Sequence, residues 1–447
     1  MKLQTTLIAT AVALACQVGH AQTAKEVASE MRHMREELRQ LRAELEVLKK
    51  QKSQEAAAAS TVTAQSSNSN PFTPTERTSV SEPPVAVATH TNQMTEPAPN
   101  AVNLFGYGEL NFTRPKNNIA GAEATARRAV LGFGYRFNDR TRFAAELEVE
   151  HAVVSKDDSG EVAFEQLYVE HDISDGLTAK MGLFLLPVGY MNETHEPTRY
   201  FGVTRNLVET AIIPSTWREL GLGFRGTQDS GLRWDAGVVT SFDLTKWPTD
   251  SAETKESPLG AIHQEGQKAK AASLGYYGAL NYDGIPGVNF GGSLFQGGIG
   301  QKQPTIASPN ASVTLAEVHT KWQIGSWDLS ALAAQGRFHD VSAFNASGNG
   351  VNPVPDQFRG WYAQAAYRLW RKGDTSLVPF TRYERINTGL GYSGLGGLAP
   401  ANDPDTKVWT LGASYYLHPQ VVVKMDVQKY QNNSALDRFN MGLGFHY

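Results

Sequence analysis

The chain is short of three things. Of its 447 residues one is cysteine, Cys16. No internal run approaches the roughly 20 apolar residues that a membrane helix needs, and mean hydropathy is −0.36. Charge of neither sign dominates: 41 Lys and Arg stand against 45 Asp and Glu, with a pI near 6.3. Each shortage removes a class of protein. With Cys16 inside a leader, the exported chain has no disulfide framework. Helical membrane spans are excluded, but a membrane β-barrel is not, because its alternating strands average to a polar composition. A near-neutral chain lacks the electrostatic footprint of nucleic-acid binding, so no nucleic-acid partner is expected.

What is present falls into four stretches. Residues 1–21 predict a signal peptide, with Lys2 as the positive start, Leu7 to Ala15 as the apolar core and Gly19-His20-Ala21 as the cleavage site. Ala13-Leu14-Ala15-Cys16 also loosely matches a lipoprotein box, with Ala13 where a larger aliphatic is preferred. Both readings imply export. Residues 22–52 predict a coiled coil. Val27, Met31, Met34, Leu38, Leu41, Leu45 and Leu48 follow one another at alternating steps of four and three. That makes an unbroken heptad with Met31, Leu38 and Leu45 at position a. Glu30, Glu37 and Glu44 occupy g, and Arg35, Arg42 and Lys49 occupy e, so acid faces base across a parallel neighbour. Residues 53–102 are rich in Ala, Ser, Thr, Asn and Pro without periodicity. Such a segment cannot offset its ordering entropy and reads as a disordered linker.

Residues 103–447 predict an all-β transmembrane barrel of 16 antiparallel strands, running from 103–113 and 126–138 to 420–431 and 436–447. The connections support this. Every second one is tight and built of Gly, Pro, Asn and Asp, as in Asn138-Asp139-Arg140 and His418-Pro419. The others are mostly long: 114–125, 187–217, 244–270, 300–311, 339–357 and 388–405. Short periplasmic turns alternating with long extracellular loops are the habit of outer-membrane barrels.

Several strands declare their faces. Phe143, Ala145, Leu147 and Val149 oppose Glu146, Glu148 and Glu150, and Val421, Val423, Met425 and Val427 oppose Lys424, Asp426 and Gln428. With Arg128, Arg136, Arg225 and Arg233, the charged positions predict a polar, water-filled lumen of mixed sign. Strands 161–172 and 376–387 carry charge on both faces and have no evident orientation. In the last strand Phe439, Met441, Leu443, Phe445 and Tyr447 share one face. An aromatic end resembles the assembly signal of bacterial outer-membrane barrels, which makes Phe445 and Tyr447 candidates for recognition by the barrel assembly machinery.

The connection 187–217 is long yet rich in aromatic and aliphatic residues, so it should pack on something. Folding inward would make it a pore constriction carrying Glu193, His195, Glu196, Arg199, Arg205 and Glu209; an external lid or a subunit contact is the alternative. His195 and Glu196 beside Glu193 lack a helix or strand to fix metal geometry. No metal, cofactor or catalytic group is expected.

Three runs carry a family resemblance: Gly182-Leu183-Phe184-Leu185-Leu186-Pro187-Val188-Gly189, Asn192-Glu193-Thr194-His195-Glu196-Pro197 and Ile212-Ile213-Pro214-Ser215-Thr216-Trp217-Arg218-Glu219-Leu220-Gly221. In this order they resemble the phosphate-selective porin O and P family. The resemblance implies a homotrimeric outer-membrane channel whose third loop forms the constriction, with the coiled coil in the periplasm. It does not fix the solute, because basic and acidic lumen positions are near balance. The expected function is passive diffusion of small hydrophilic solutes or ions. Uptake of phosphate or another anion, and an envelope tether with the barrel as anchor in membrane lipid, are the alternatives.

Overall fold

The computed structural model describes residues 102–158, 160–249, 251–348, 352–395 and 405–447. The expected signal peptide, coiled coil and linker, including Met31, Met34, Leu38, Leu41, Leu45 and Leu48, lie outside the described residues, except for Val102, which opens the first strand.

The strands are β1 (Val102–Pro115), β2 (Glu123–Arg136), β3 (Thr141–Glu150), β4 (Val162–Ser174), β5 (Leu177–Leu185) and β6 (Arg218–Thr227). Then come β7 (Leu232–Val239), β8 (Gly275–Ile285), β9 (Val288–Gly298), β10 (Ser312–Ile324) and β11 (Trp327–His339). Strand β12 is Gln357–Tyr367 with a short continuation at Trp370–Lys372. The series ends with β13 (Thr375–Leu390), β14 (Asp405–His418), β15 (Val421–Tyr430) and β16 (Arg438–His446). Each pairs antiparallel with its chain neighbours, and β16 pairs with β1 from Tyr107↔His446 to Pro115↔Arg438. The sheet is thereby closed into a barrel with no free edge. All of the expected strands are present. No helix among the described residues is long and apolar enough to cross a membrane.

Alternation sorts the wall. Leu280, Leu294, Val318, Leu411 and Val427 are each more than half exposed on the outside. A continuous belt of this kind exceeds what a water-facing surface carries and suits lipid. Aromatic rings sit among it in contact, Trp361 with Tyr383 at 5.4 Å, Tyr383 with Trp409 at 4.8 Å, and Trp327 with Tyr367 at 4.8 Å. Between them, Glu148, Lys424 and Asp426 are buried toward the inside, as the period-two reading requires.

Two bulges break the alternation where it matters. Glu109 pairs with Arg128 but Leu110 with Ala126, leaving Arg127 as the extra residue on β2. Glu146 pairs with Gln166 but Leu147 with Phe164, leaving Glu165 as the extra residue on β4. A bulge re-aims one side chain, so Glu165 and Gln166, though consecutive, are both buried. This resolves 161–172: a strand with charge apparently on both faces is a bulged strand with its acids inside. In β13 the charge is on both faces in fact. Arg382 and Glu384 are buried inside, whereas Arg385 meets Asp405 outside at 2.9 Å.

The expectation of a wholly polar lumen is corrected. Phe295, Val313, Leu315, Phe338 and Phe358, on β9 to β12, are buried and belong to one apolar core. Phe242, Leu244, Leu259 and Ile262 from the connection after β7, and Val208, Ile212 and Trp217 from the connection after β5, join the same core. Connections that fold inward bring their own apolar faces. The wall beneath them is then dry, and apolar residues belong there. Alternation alone cannot tell an apolar face turned to lipid from one turned to a folded-in loop.

Candidate pore constriction

Residues 186–217 enter the barrel as a closed loop. Asn192 ties its neck: its amide donates to the carbonyls of Leu186 (2.8 Å) and Trp217 (2.9 Å), and its oxygen accepts from the Trp217 N–H (2.7 Å). One side chain thus satisfies backbone groups at both ends of a long excursion. Glu209 organises the middle. Its carboxylate accepts from the N–H groups of Tyr190 (2.6 Å) and Met191 (2.5 Å), from the Asn206 amide (2.7 Å) and from the Tyr362 hydroxyl on β12 (3.2 Å). Arg205 donates to Ser215 Oγ (2.5 Å) and to the His195 carbonyl (3.3 Å). Arg205 and Glu209 are therefore staples inside the loop, 8% and 4% exposed, and not charges offered to the lumen.

The far part of the loop lies against the opposite wall. The N–H of Val203 donates to Asp426 on β15 (2.7 Å), and that of Leu207 to Glu384 on β13 (2.6 Å). Arg382 donates to the Phe201 carbonyl (3.2 Å), and Thr198 shares a hydrogen bond with His446 on β16 (2.6 Å). Glycines make the seat. A Cβ at Gly444 would stand 2.4 Å from Cβ of Pro197, and one at Gly442 would stand 3.0 Å from Cγ1 of Val203. Lys424 lies under the Tyr200 ring, 3.6 Å from its centroid.

On the near wall, Glu193 accepts two bonds from Arg225 on β6 (2.6 and 2.9 Å), and Arg225 also reaches Asp235 on β7 (2.5 Å). Arg233 is 3.7 Å from the same Asp235. Burial favours the neutral acid, but the Arg225 charge outweighs it and holds the Glu193 carboxyl down at about 2. Arg128 is ringed by Glu109 (3.4 Å), Glu148 (2.9 Å) and Glu150 (3.4 Å). The loop thus touches walls on both sides of the lumen.

The expected site residues divide. Arg128, Glu146, Glu148, Glu150, Arg225, Arg233 and Lys424 do face inward. Arg136 shares the inward face at the end of β2, where it donates to the carbonyls of Asn138 and Asp139 in the following turn. Arg199 is exposed and has no ion-pair partner among the described residues. His195 turns away from Glu193. Its Nε2 faces Glu165 Oε2 at 3.5 Å, and Glu146 completes a buried cluster with them. Burial opposes the charged ring, yet the Glu165 carboxylate outweighs it and the His195 pKa is raised. Glu165, Tyr362, Arg382 and Glu384 were not candidates in the sequence reading. The charge on both faces of 161–172 is the one sequence feature that bears on Glu165.

This geometry places the chain, first, in a class of folds, that of the outer-membrane porins. It is similar to OmpF of Salmonella typhi, solved in complex with daunomycin, at 13% identity and a TM-score of 0.53, over 78% of this chain and 98% of that one. It is also similar to the outer membrane channel DcaP of Acinetobacter baumannii, at 10% identity and a TM-score of 0.51, over 78% and 98%. No family model matches the sequence. The chain belongs to the family of an uncharacterized protein of Aquifex aeolicus (strain VF5), with which it is 30% identical over 336 residues, 73% of this chain and 74% of that protein.

Proposed function

We propose that the protein is an outer-membrane channel for passive diffusion of small hydrophilic solutes or ions, narrowed by residues 186–217 and working as a homotrimer with its coiled coil in the periplasm. One observation carries this reading. The loop is hydrogen-bonded to walls on both sides of the lumen, through Arg225 on one and Asp426 and Glu384 on the other. That is how a fixed constriction is built. Uptake of phosphate or another anion is the less favoured reading, because a desolvated anion needs fixed positive partners. Here Arg128, Arg225 and Arg382 are each committed to carboxylates.

Reconstitution into a planar bilayer tests the proposal. Stepwise conductance in groups of three is expected; an electrically silent barrel would overturn the channel and favour the envelope tether. Within a working channel, Arg199→Ala should shift the reversal potential toward cations in a salt gradient. A unit charge at 4 Å is worth about 1 kcal/mol even in water, a several-fold change in the local ion ratio. Arg205→Ala removes a staple instead and should raise current noise. Equal effects from the two would contradict their different placements.

Acid offers a further check. The Glu193 carboxyl sits at about 2 against an ordinary 4.5, so its stabilisation is complete above 4.5 and is lost as pH falls toward 2. The Glu193–Arg225 pair should therefore hold from neutral pH down to about 4, so Glu193→Gln should loosen the loop, seen as noisier current, above that pH and lose its effect near the lower value. Identical current noise in wild type and Glu193→Gln at neutral pH would show that Glu193 does not hold the loop.

A further inference from the structure

Three side chains from three segments converge at one buried point. Glu146 lies on β3, Glu165 is the bulge residue of β4, and His195 belongs to the lumen loop. They are 5%, 0% and 4% exposed. One ligand atom from each lies within 4.8 Å of the others. Glu146 Oε2, Glu165 Oε1 and His195 Nε2 are all buried and lack a hydrogen-bond partner. Orphaned atoms of this kind are rare in a folded protein and call for an occupant or a cost.

The imidazole is oriented for one. His195 Nδ1 lies 2.9 Å from the Asn192 carbonyl oxygen, which can only accept, so Nδ1 carries the proton. When an incoming ion displaces the Nε2 proton, the lone pair left behind faces two carboxylates. A backbone carbonyl on the distal nitrogen is the usual means of fixing a metal-binding tautomer. Asn192 is itself locked by the loop neck. Nearby cations do not fill the need. Arg128 is taken by Glu109, Glu148 and Glu150, and Arg205 by Ser215 and the His195 carbonyl. The Tyr107 hydroxyl donates to Glu165 Oε2 at 3.0 Å and orients that group without neutralising it.

We propose that Glu146, Glu165 and His195 bind a divalent cation of the zinc class. Two carboxylates and a neutral imidazole match its charge, and mixed nitrogen and oxygen donors favour it over calcium or magnesium. Ligands at about 2.1 Å from a tetrahedral ion stand ~3.4 Å apart, and His195 Nε2 already lies 3.5 Å from Glu165 Oε2. Three protein ligands leave a fourth position for water. Because His195 is in the loop and both acids are in the wall, the ion would clip the constriction to the barrel. The inference concerns binding and does not depend on whether the barrel conducts.

The test uses the full-length protein in detergent, stripped with a chelator and titrated with Zn²⁺ or Co²⁺ at neutral pH. Metal content by mass spectrometry and the visible spectrum of the Co²⁺ form are read. One ion per chain is expected, with affinity weakened by at least about 100-fold in Glu146→Gln and in His195→Gln, since even outer-shell changes cost 10–100-fold. Asp229→Asn, exposed in the turn between β6 and β7, should keep the wild-type affinity. Should Glu165→Gln fail to assemble, His195→Gln decides, because residue 195 lies outside the strand ladder. A folded wild type that takes up no stoichiometric metal at micromolar Zn²⁺ overturns the site. Binding that survives His195→Gln does so as well, and would leave His195 as a protonated partner of Glu165.

Discussion

Glu209→Ala is expected to free the lumen loop and to raise single-channel conductance, with the barrel still assembled. The Glu209 carboxylate is the shared acceptor for Tyr190, Met191, Asn206 and the Tyr362 hydroxyl. Truncation strands all four donors in a site where Glu209 is 4% exposed. Each buried group left without a partner costs about 1–3 kcal/mol. The sum is comparable with the whole stability of a small domain, about 5–15 kcal/mol, and it falls on one loop. The loop's hold on β12 goes with it. The strand ladders are untouched, so heat-modifiable mobility on gels should remain that of a folded barrel. Protease nicking within 187–217 and larger, noisier current steps are the readouts. Glu209→Gln keeps one acceptor oxygen but turns an amide N–H₂ toward other donors, and should lie between. Wild-type conductance and protease resistance in Glu209→Ala would show that Asn192 and the Glu193–Arg225 pair suffice.

Deletion of Phe445 to Tyr447 should abolish assembly altogether. Tyr447 and Gly106 exchange two backbone hydrogen bonds, at 2.9 and 3.1 Å, and the His446 N–H donates to the Gln420 carbonyl at 3.0 Å. Without them β1 and β15 keep unpaired backbone groups at the seam, each costing several kcal/mol in hydrocarbon. No folded protein should be recovered from outer-membrane fractions. Gly444→Val gives the contrast. Its backbone can still pair, but the new side chain would occupy the place of Pro197. That variant should assemble and show altered conductance. Normal recovery of the truncated chain would refute the seam, and wild-type conductance of Gly444→Val would refute the seat.

These two outcomes separate what the last strand does for closure from what it does for the loop. Its period-two pattern was plain in the sequence, where Gly442 and Gly444 read only as the small side of a wall. Their reason is local contact with a segment more than 200 residues earlier in the chain, to which no periodicity points. The six charged residues of the loop were legible as a group but not by role. Arg205 and Glu209 look like lumen charges beside Arg199, until the backbone turns them inward.

The sequence by itself determined the barrel: strand number, the alternation of short and long connections, the apolar outer belt and the seam between first and last strands. These follow from a side-chain period of two and from turn chemistry, both local. Only the tertiary structure decided what fills the inside. It turned a loop across the lumen, dried one wall beneath it, and used a single bulged residue to bring Glu165 to Glu146 and His195. Such meetings depend on contacts distant in sequence and on a one-residue slip in register, which inverts every face beyond it.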